Sequence, residues 1–381
     1  MHRGPPDGNR RVWRECHSAR GIGPRRGAAL GVRPMTPLLA CGQELAGDER
    51  VRRFHVFLQS KFPEIDGEIM LSRASGGMSN PTFFIEAGTW SAVLRKKPGI
   101  NLVKSAHAID REFRVISALH GTTVPVPRPI LYHAAPDVLD TPFYLMERMR
   151  GRVFDAYGLP GLTRDERRAC YDSMACIVAS LHKLDWQALG LTDFGRPGNS
   201  YERQFQRWSE LWDQYRSIGN PELDQLQIWL ASRIPQTNRL VLCHGDLRIG
   251  NLMFHPTRPE VVAVLDWELS TLSHPFLDLG FNTLAWDLEP DELGGLRGHD
   301  VSQLGIPSYE DYLQMYYRHA NEGERLAPVH RAFVAFRAAV GSAGISVRGQ
   351  HGNSVSAGAA EVGRRLSHIY ARRGLELIDA A

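Results

Sequence analysis

The chain has 381 residues, 43% of them hydrophobic and 23% charged, a globular composition long enough for two lobes or domains. Its formal charge of +3 is misleading: residues 1–34 hold eight Arg, one Asp and one Glu, and without them 37 Lys and Arg stand against 40 Asp and Glu, a charge of −3. A mildly acidic body gives no electrostatic ground for nucleic-acid binding, and no run approaches the ~18 apolar residues of a membrane span, so neither nucleic acid nor membrane is an expected partner.

Residues 1–35 are Arg-, Gly- and Pro-rich without hydrophobic periodicity, which predicts a disordered extension, and Met35 offers an alternative start. The five cysteines are scattered with no Cys-x-x-Cys and no Cys/His cluster, the usage expected of a cytoplasmic protein without a zinc site. Val51, Phe54 and Leu58 then follow helical spacing. The stretch "SRASGGMSNPTFFIEAGTWSAVLRKKP" alternates apolar runs with Gly-containing turns and predicts strands about the "EAGTW" turn. Ile109, Phe113 and Ile116 mark a helix over 107–119. "VPVPRPI" is extended, because a residue before Pro is pushed out of the α region, and "PFYLMERM" is a further strand. Thr163 and Glu166 stand at capping-box spacing before a helix whose stripe is Met174, Ile177, Val178 and Leu181. More helices are expected over 199–232, 308–320, 328–346 and 354–379. Short apolar runs at 240–243, 251–254 and "EVVAVL" suggest a small hairpin among them. The order is a strand-rich first half and a helical second half, an α+β chain.

One short stretch does not fit a purely structural account. "HGDLRIGN" places His244, Asp246 and Asn251 in a turn between two apolar runs, and Asp266 ends a third run 20 residues after Asp246. An Asp in a turn is ordinary. Asp, Asn and Asp at this spacing are the residue types that phosphoryl transfer needs: one carboxylate for the proton of the attacking hydroxyl, and a second carboxylate with an Asn carbonyl for magnesium.

The pattern H-x-D-x-x-x-x-N followed by "LDWE" resembles the catalytic and metal-binding segments of protein kinases, with His244-Gly245-Asp246 for H-R-D and Asp266-Trp267-Glu268 for D-F-G. Together with "HPFLDLG" it looks like the aminoglycoside phosphotransferase family, which also contains choline and other small-molecule kinases. The resemblance runs from about residue 48 to 375. It implies a bilobal protein-kinase-like fold, with an antiparallel-sheet N-lobe over 36–147 that binds nucleotide. A mainly helical C-lobe over 148–381 would carry the catalytic loop and the acceptor site.

By the same resemblance, Asp246 is the catalytic base, and Asn251 and Asp266 hold Mg2+. "SGGMSN", with Ser75, Gly76, Gly77, Ser79 and Asn80, covers the phosphates of ATP. Arg95 takes the place of the usual Lys as phosphate contact, a fork and not a point charge. Glu112 braces it, the backbone about Glu147 and Met149 meets the adenine, and Asp278 supports the catalytic loop. "VLRKKPG", "AHAIDREFRV" and "GIPSYEDYL" are more similar to the kinase-like domain associated with acyl-CoA dehydrogenases, which implies a link to acyl-CoA metabolism and a hydroxyacyl-CoA as the small-molecule hydroxyl acceptor.

Blander readings stand beside these. His244 is expected to hold the loop by hydrogen bonding, His182 to lie in the core, Trp208 and Trp212 to pack, and Arg337 and Arg348 to lie on solvated faces. Two other functions stay open: a pseudokinase that binds nucleotide without turnover, although no catalytic residue is missing, and an antibiotic phosphotransferase. The latter needs carboxylates for a polycationic acceptor, whereas the segment after residue 320 is rich in Arg.

Overall fold

The computed structural model describes residues 48–74, 80–98, 109–321, 323–350 and 358–379. The expected extension and the loop residues Ser75, Gly76, Gly77 and Ser79 lie outside the described residues.

Helix α1 (Asp48–Lys61) precedes strands β1 (Met70–Arg73), β2 (Thr82–Ala87) and β3 (Trp90–Lys96). Helix α2 (Ile109–Leu119), β4 (Pro129–His133) and β5 (Phe143–Glu147) complete the first lobe. These five strands form one antiparallel sheet in the order β1-β2-β3-β5-β4. Alternation along β2 buries Phe83 and Ile85 against Phe54, Leu58, Leu94 and Phe143, so α1 covers one sheet face. The β2–β3 turn reverses at Gly88, whose φ of 59° is left-handed. On the other side α2 turns Ile109, Val115, Ile116 and Leu119 inward, and the same buried face carries one carboxylate, Glu112.

The second lobe holds β6 (Arg152–Val153) and helices α3 (Arg164–His182), α4 (Ser200–Tyr215) and α5 (Pro221–Ala231). Next come β7 (Val241–Cys243), β8 (Leu252–Phe254), β9 (Val261–Val264) and β10 (Thr271–Ser273). Helices α6 (Phe276–Thr283), α7 (Val301–Leu304), α8 (Tyr309–Ala320), α9 (Pro328–Gln350) and α10 (Ala359–Asp379) follow. The expected capping box forms: the Thr163 hydroxyl accepts from the Glu166 N–H while Glu166 accepts from the Thr163 N–H.

The strand pairing is richer than one hairpin. β8 pairs β9 and also β6, whereas β7 pairs β10, a strand the sequence does not announce. "HGDLRIGN" therefore links two different small sheets. Two further bonds pull the segments together: the Leu265 N–H donates to the Asn251 carbonyl at 2.9 Å, and the Val264 N–H to that of Pro125 at 2.8 Å. The second ties the hairpin to the segment leading into β4. No described helix is long and apolar enough to cross a membrane.

Candidate active site

The loop His244–Asn251 is pinned peptide by peptide. Asp278, fully buried on α6, accepts the His244 N–H at 2.6 Å on one oxygen and the Gly245 N–H at 2.7 Å on the other. Its burial would raise the carboxyl; His182, the His244 side chain and the Gly245 N–H outweigh that and hold it below the ordinary value. Gly245 has φ +84°, and a Cβ there would fall 2.2 Å from the Leu269 carbonyl oxygen, so only glycine fits the turn. His244 Nε2–H donates to the Leu265 carbonyl at 2.8 Å and Nδ1 accepts the Asp246 N–H at 3.2 Å. Those two partners set the tautomer and leave the ring without a free proton acceptor. Its ring lies against that of Trp267, tilted by 53° with centroids 4.7 Å apart. His244 is a brace for the turn, as its expected role requires.

Asp246 is thereby presented at the loop's surface, partly buried. Burial raises its carboxyl above the ordinary aspartate value, while Arg248 and His244 pull it down. Asn251 donates through Nδ2 to the Asp246 carbonyl at 2.8 Å and to Oδ2 at 2.9 Å. With its NH2 so used, its Oδ1 is the side chain's acceptor. Asp266 sits in the left-handed region, at φ 66° and ψ 67°, a conformation that costs a non-Gly residue about 1 kcal/mol or more. That twist turns the chain from β9 into the Trp267–Leu269 3-10 turn.

From the first lobe, Arg95 on β3 reaches in. Its Nε stands 3.3 Å from Glu112 Oε2, and a terminal nitrogen donates to Asp266 Oδ1 at 3.1 Å. Burial pushes Glu112 up to about 7 against the pull of Arg95. Glu268 stands 4.0 Å from Arg95 and accepts from Asn80 Nδ2 at 3.4 Å. Asn80 is buried, so the one described residue of the expected phosphate-covering stretch is anchored to the "LDWE" segment.

The structure thus gathers Asp246, Asn251, Asp266, Arg95, Glu112 and Asn80 at the junction of the lobes. Glu147 and Met149 lie where β5 ends, both partly buried, and the Glu147 N–H is taken by the Arg128 carbonyl at 2.9 Å. One expectation is corrected. Arg348 is exposed, but Arg337 is not on a solvated face: it is 7% exposed and donates to the Gly245 carbonyl at 3.1 Å. The sequence reading also passed over Glu268, although it stands in the quoted "LDWE", and Arg248, whose Nε lies 3.5 Å from Asp246 Oδ2.

His182, Cys243 and Asp278 bring ligand-type atoms within 4.8 Å of one another beneath the loop. Both Asp278 oxygens already serve backbone N–H groups and His182 Nδ1 meets the Tyr316 hydroxyl at 2.9 Å, so this cluster supports the loop.

Residues 71–317 match the model of the phosphotransferase enzyme family. Acyl-CoA dehydrogenase family member 10 of Mus musculus is 39% identical over 305 residues, 78% of this chain and 28% of its own length. Probable acyl-CoA dehydrogenase IBR3 of Arabidopsis thaliana is 38% identical over 321 residues, 79% of this chain and 39% of its own. This chain spans less than half the length of those relatives. A solved "putative aminoglycoside phosphotransferase" from Ralstonia eutropha superposes with a TM-score of 0.76 at 37% identity, covering 87% of this chain and 98% of that one. Aminoglycoside 2'-phosphotransferase-IIIa, solved as its GDP complex, gives 0.57 at 14% identity over 86% of this chain and 99% of that one, a likeness of fold. The sheet lobe, the helical lobe and the match across both agree: this chain belongs to the phosphotransferase enzyme family, on a bilobal α+β protein-kinase-like fold.

Proposed function

We propose that the chain is an ATP-dependent phosphotransferase that moves the γ-phosphoryl group to a hydroxyl of a small molecule. The observation that carries this reading is the convergence of an Asp–Asn pair, a second Asp and a buried Arg from three separate segments, with Asn251 2.9 Å from Asp246 and Arg95 3.1 Å from Asp266.

Asp246 is the base. Its raised carboxyl is a better match to a hydroxyl's proton near neutral pH than an ordinary aspartate. It accepts that proton as the hydroxyl oxygen bonds to the γ-phosphorus and the bond to the departing ADP oxygen breaks. Asn251 Oδ1 and the Asp266 carboxylate are hard oxygen donors and fit Mg2+, which when bound neutralises charge on the β- and γ-phosphates. Arg95, braced by Glu112, contacts the phosphates as a planar fork. By the family resemblance the Ser75–Asn80 stretch, of which Asn80 is described, would cover them, and the backbone at Glu147 and Met149 would meet the adenine. The protein forms no covalent intermediate; positioning and charge carry the reaction.

The names of the relatives direct the choice of acceptor. Acyl-CoA thioesters that carry a hydroxyl on the acyl chain are the first class to test. ADP release by the purified protein with MgATP is measured against hydroxyacyl-CoAs, choline-like alcohols, homoserine and aminoglycosides, and ATP is compared with GTP on the best of them. ADP that depends on a hydroxyacyl-CoA supports the full reading. ADP with another alcohol keeps the phosphotransferase and discards the acceptor. Saturable MgATP binding with no turnover on any acceptor favours the pseudokinase.

A further inference from the structure

A charged residue inside a helix that is buried along most of its length needs a reason. Arg337 lies in the middle of α9, where His330, Phe333, Val334, Phe336 and Val340 are all buried around it. Its guanidinium lies 5.3 Å from the centre of the Trp208 ring on α4, and a terminal nitrogen donates to the Gly245 carbonyl at 3.1 Å. Its Nε is buried without a hydrogen-bond partner. Taking an Arg out of water to this extent is costly, and burial does lower its proton affinity. Asp278 and Asp246 are the carboxylates whose charge opposes that loss.

The bond falls on a particular peptide. The Gly245 carbonyl and the Asp246 N–H belong to the same planar unit. Arg337 holds its oxygen, and His244 Nδ1 holds its N–H at 3.2 Å. A peptide fixed at both ends has one orientation, and that orientation sets where the Asp246 side chain leaves the backbone. Asp278 fixes the two preceding N–H groups, at 2.6 and 2.7 Å, but bonds no atom of this third peptide.

We propose that Arg337 is a positioning residue for Asp246: from α9 it clamps the Gly245–Asp246 peptide and so orients the catalytic carboxylate. The catalytic half of this rests on Asp246 being the base; the clamp itself does not.

Two readouts on Arg337→Met and Arg337→Lys separate the two. The first is amide hydrogen exchange over residues 244–251, which needs no turnover. The clamp predicts that exchange there rises about tenfold or more in Arg337→Met, that Arg337→Lys restores part of the protection, and that α3 and α6 stay protected in both. The second is steady-state kinetics on the acceptor the wild type uses. A loss in kcat of about 10- to 100-fold in Arg337→Met, with KM for ATP and for acceptor within about twofold and partial recovery in Arg337→Lys, is expected of a displaced but intact base. Unchanged exchange over 244–251 in both variants overturns the clamp. So does protection lost evenly across the lobe, which is a packing defect. A rise in acceptor KM at constant kcat also overturns the proposal, since Arg337 is then an acceptor contact. A wild type without turnover sinks the phosphotransferase reading and leaves hydrogen exchange to decide the clamp.

Discussion

Gly245 and Glu112 show how single residues set the site's limits. At φ +84°, with the Leu269 carbonyl 2.2 Å from where a Cβ would stand, Gly245 has no tolerated replacement. Gly245→Ala is expected to cost about 2–4 kcal/mol, from a left-handed alanine and a clash with backbone that cannot swing away. Chemical denaturation measures it, and a loss under about 0.5 kcal/mol would show that the turn is less constrained than its geometry indicates. Glu112 gives a pH dependence with a definite sign. Burial, opposed by Arg95, lifts its carboxyl from 4.5 to about 7 in the fold. The folded state therefore holds the proton more tightly than the unfolded chain. The resulting stability is whole below about 4.5 and is lost as pH rises through about 7. Stability of the nucleotide-free protein should fall over that window, and Glu112→Gln should flatten the fall. Parallel pH profiles for the two proteins would contradict it.

At the scale of elements, α2 decides whether Arg95 is well placed, and both lobes hold it. Glu112 faces Arg95 on one side. On another, Arg111 donates to the Phe194 carbonyl at 3.2 Å with its guanidinium 4.0 Å from that ring's centre. Arg114 donates to the Gly190 carbonyl at 2.7 Å and pairs with Asp193. Each contact is partly exposed and contributes little to global stability. Replacing both arginines by alanine should move the melting point by only a few degrees while raising KM for ATP about 3- to 10-fold, because the Glu112 brace shifts under Arg95, the proposed phosphate contact. A KM unchanged in that double variant would separate α2 anchoring from nucleotide binding. Much of this level was legible in the sequence. The apolar run before the "EAGTW" turn marked β2, the Ile109–Phe113–Ile116 spacing marked α2, and Thr163 with Glu166 marked the start of α3. Two features were not. The β7–β10 pair joins three-residue strands across the "HGDLRIGN" and "LDWE" segments, too short for any periodicity and closed only by tertiary structure. Arg337 lies in a helix buried on most of its surface, so its apolar residues trace no single stripe, and the spacing cannot say which side an arginine faces.

The whole molecule brings the site together by its two-lobe arrangement. Asp246 and Asn251 come from one small sheet's exit, Asp266 from a left-handed turn after another, and Arg95 from the five-stranded sheet of the opposite lobe. These residues stood out in the sequence through motif spacing and family resemblance, and so did Asp278, which accepts two N–H groups of the loop; the contact of Glu268 with Asn80 depends on the fold. The central claim is that Asp246 takes the acceptor's proton and that nucleotide is held by other groups. It is tested most directly by comparing the wild type with Asp246→Asn in two assays, MgATP affinity by calorimetry and phosphoryl transfer to the acceptor. Asparagine keeps the size of the side chain and removes the base. The account predicts transfer reduced by about 10²- to 10⁴-fold with MgATP affinity within about twofold of wild type. Transfer that survives the substitution, or affinity that is lost along with it, would contradict the assignment of Asp246 as the base.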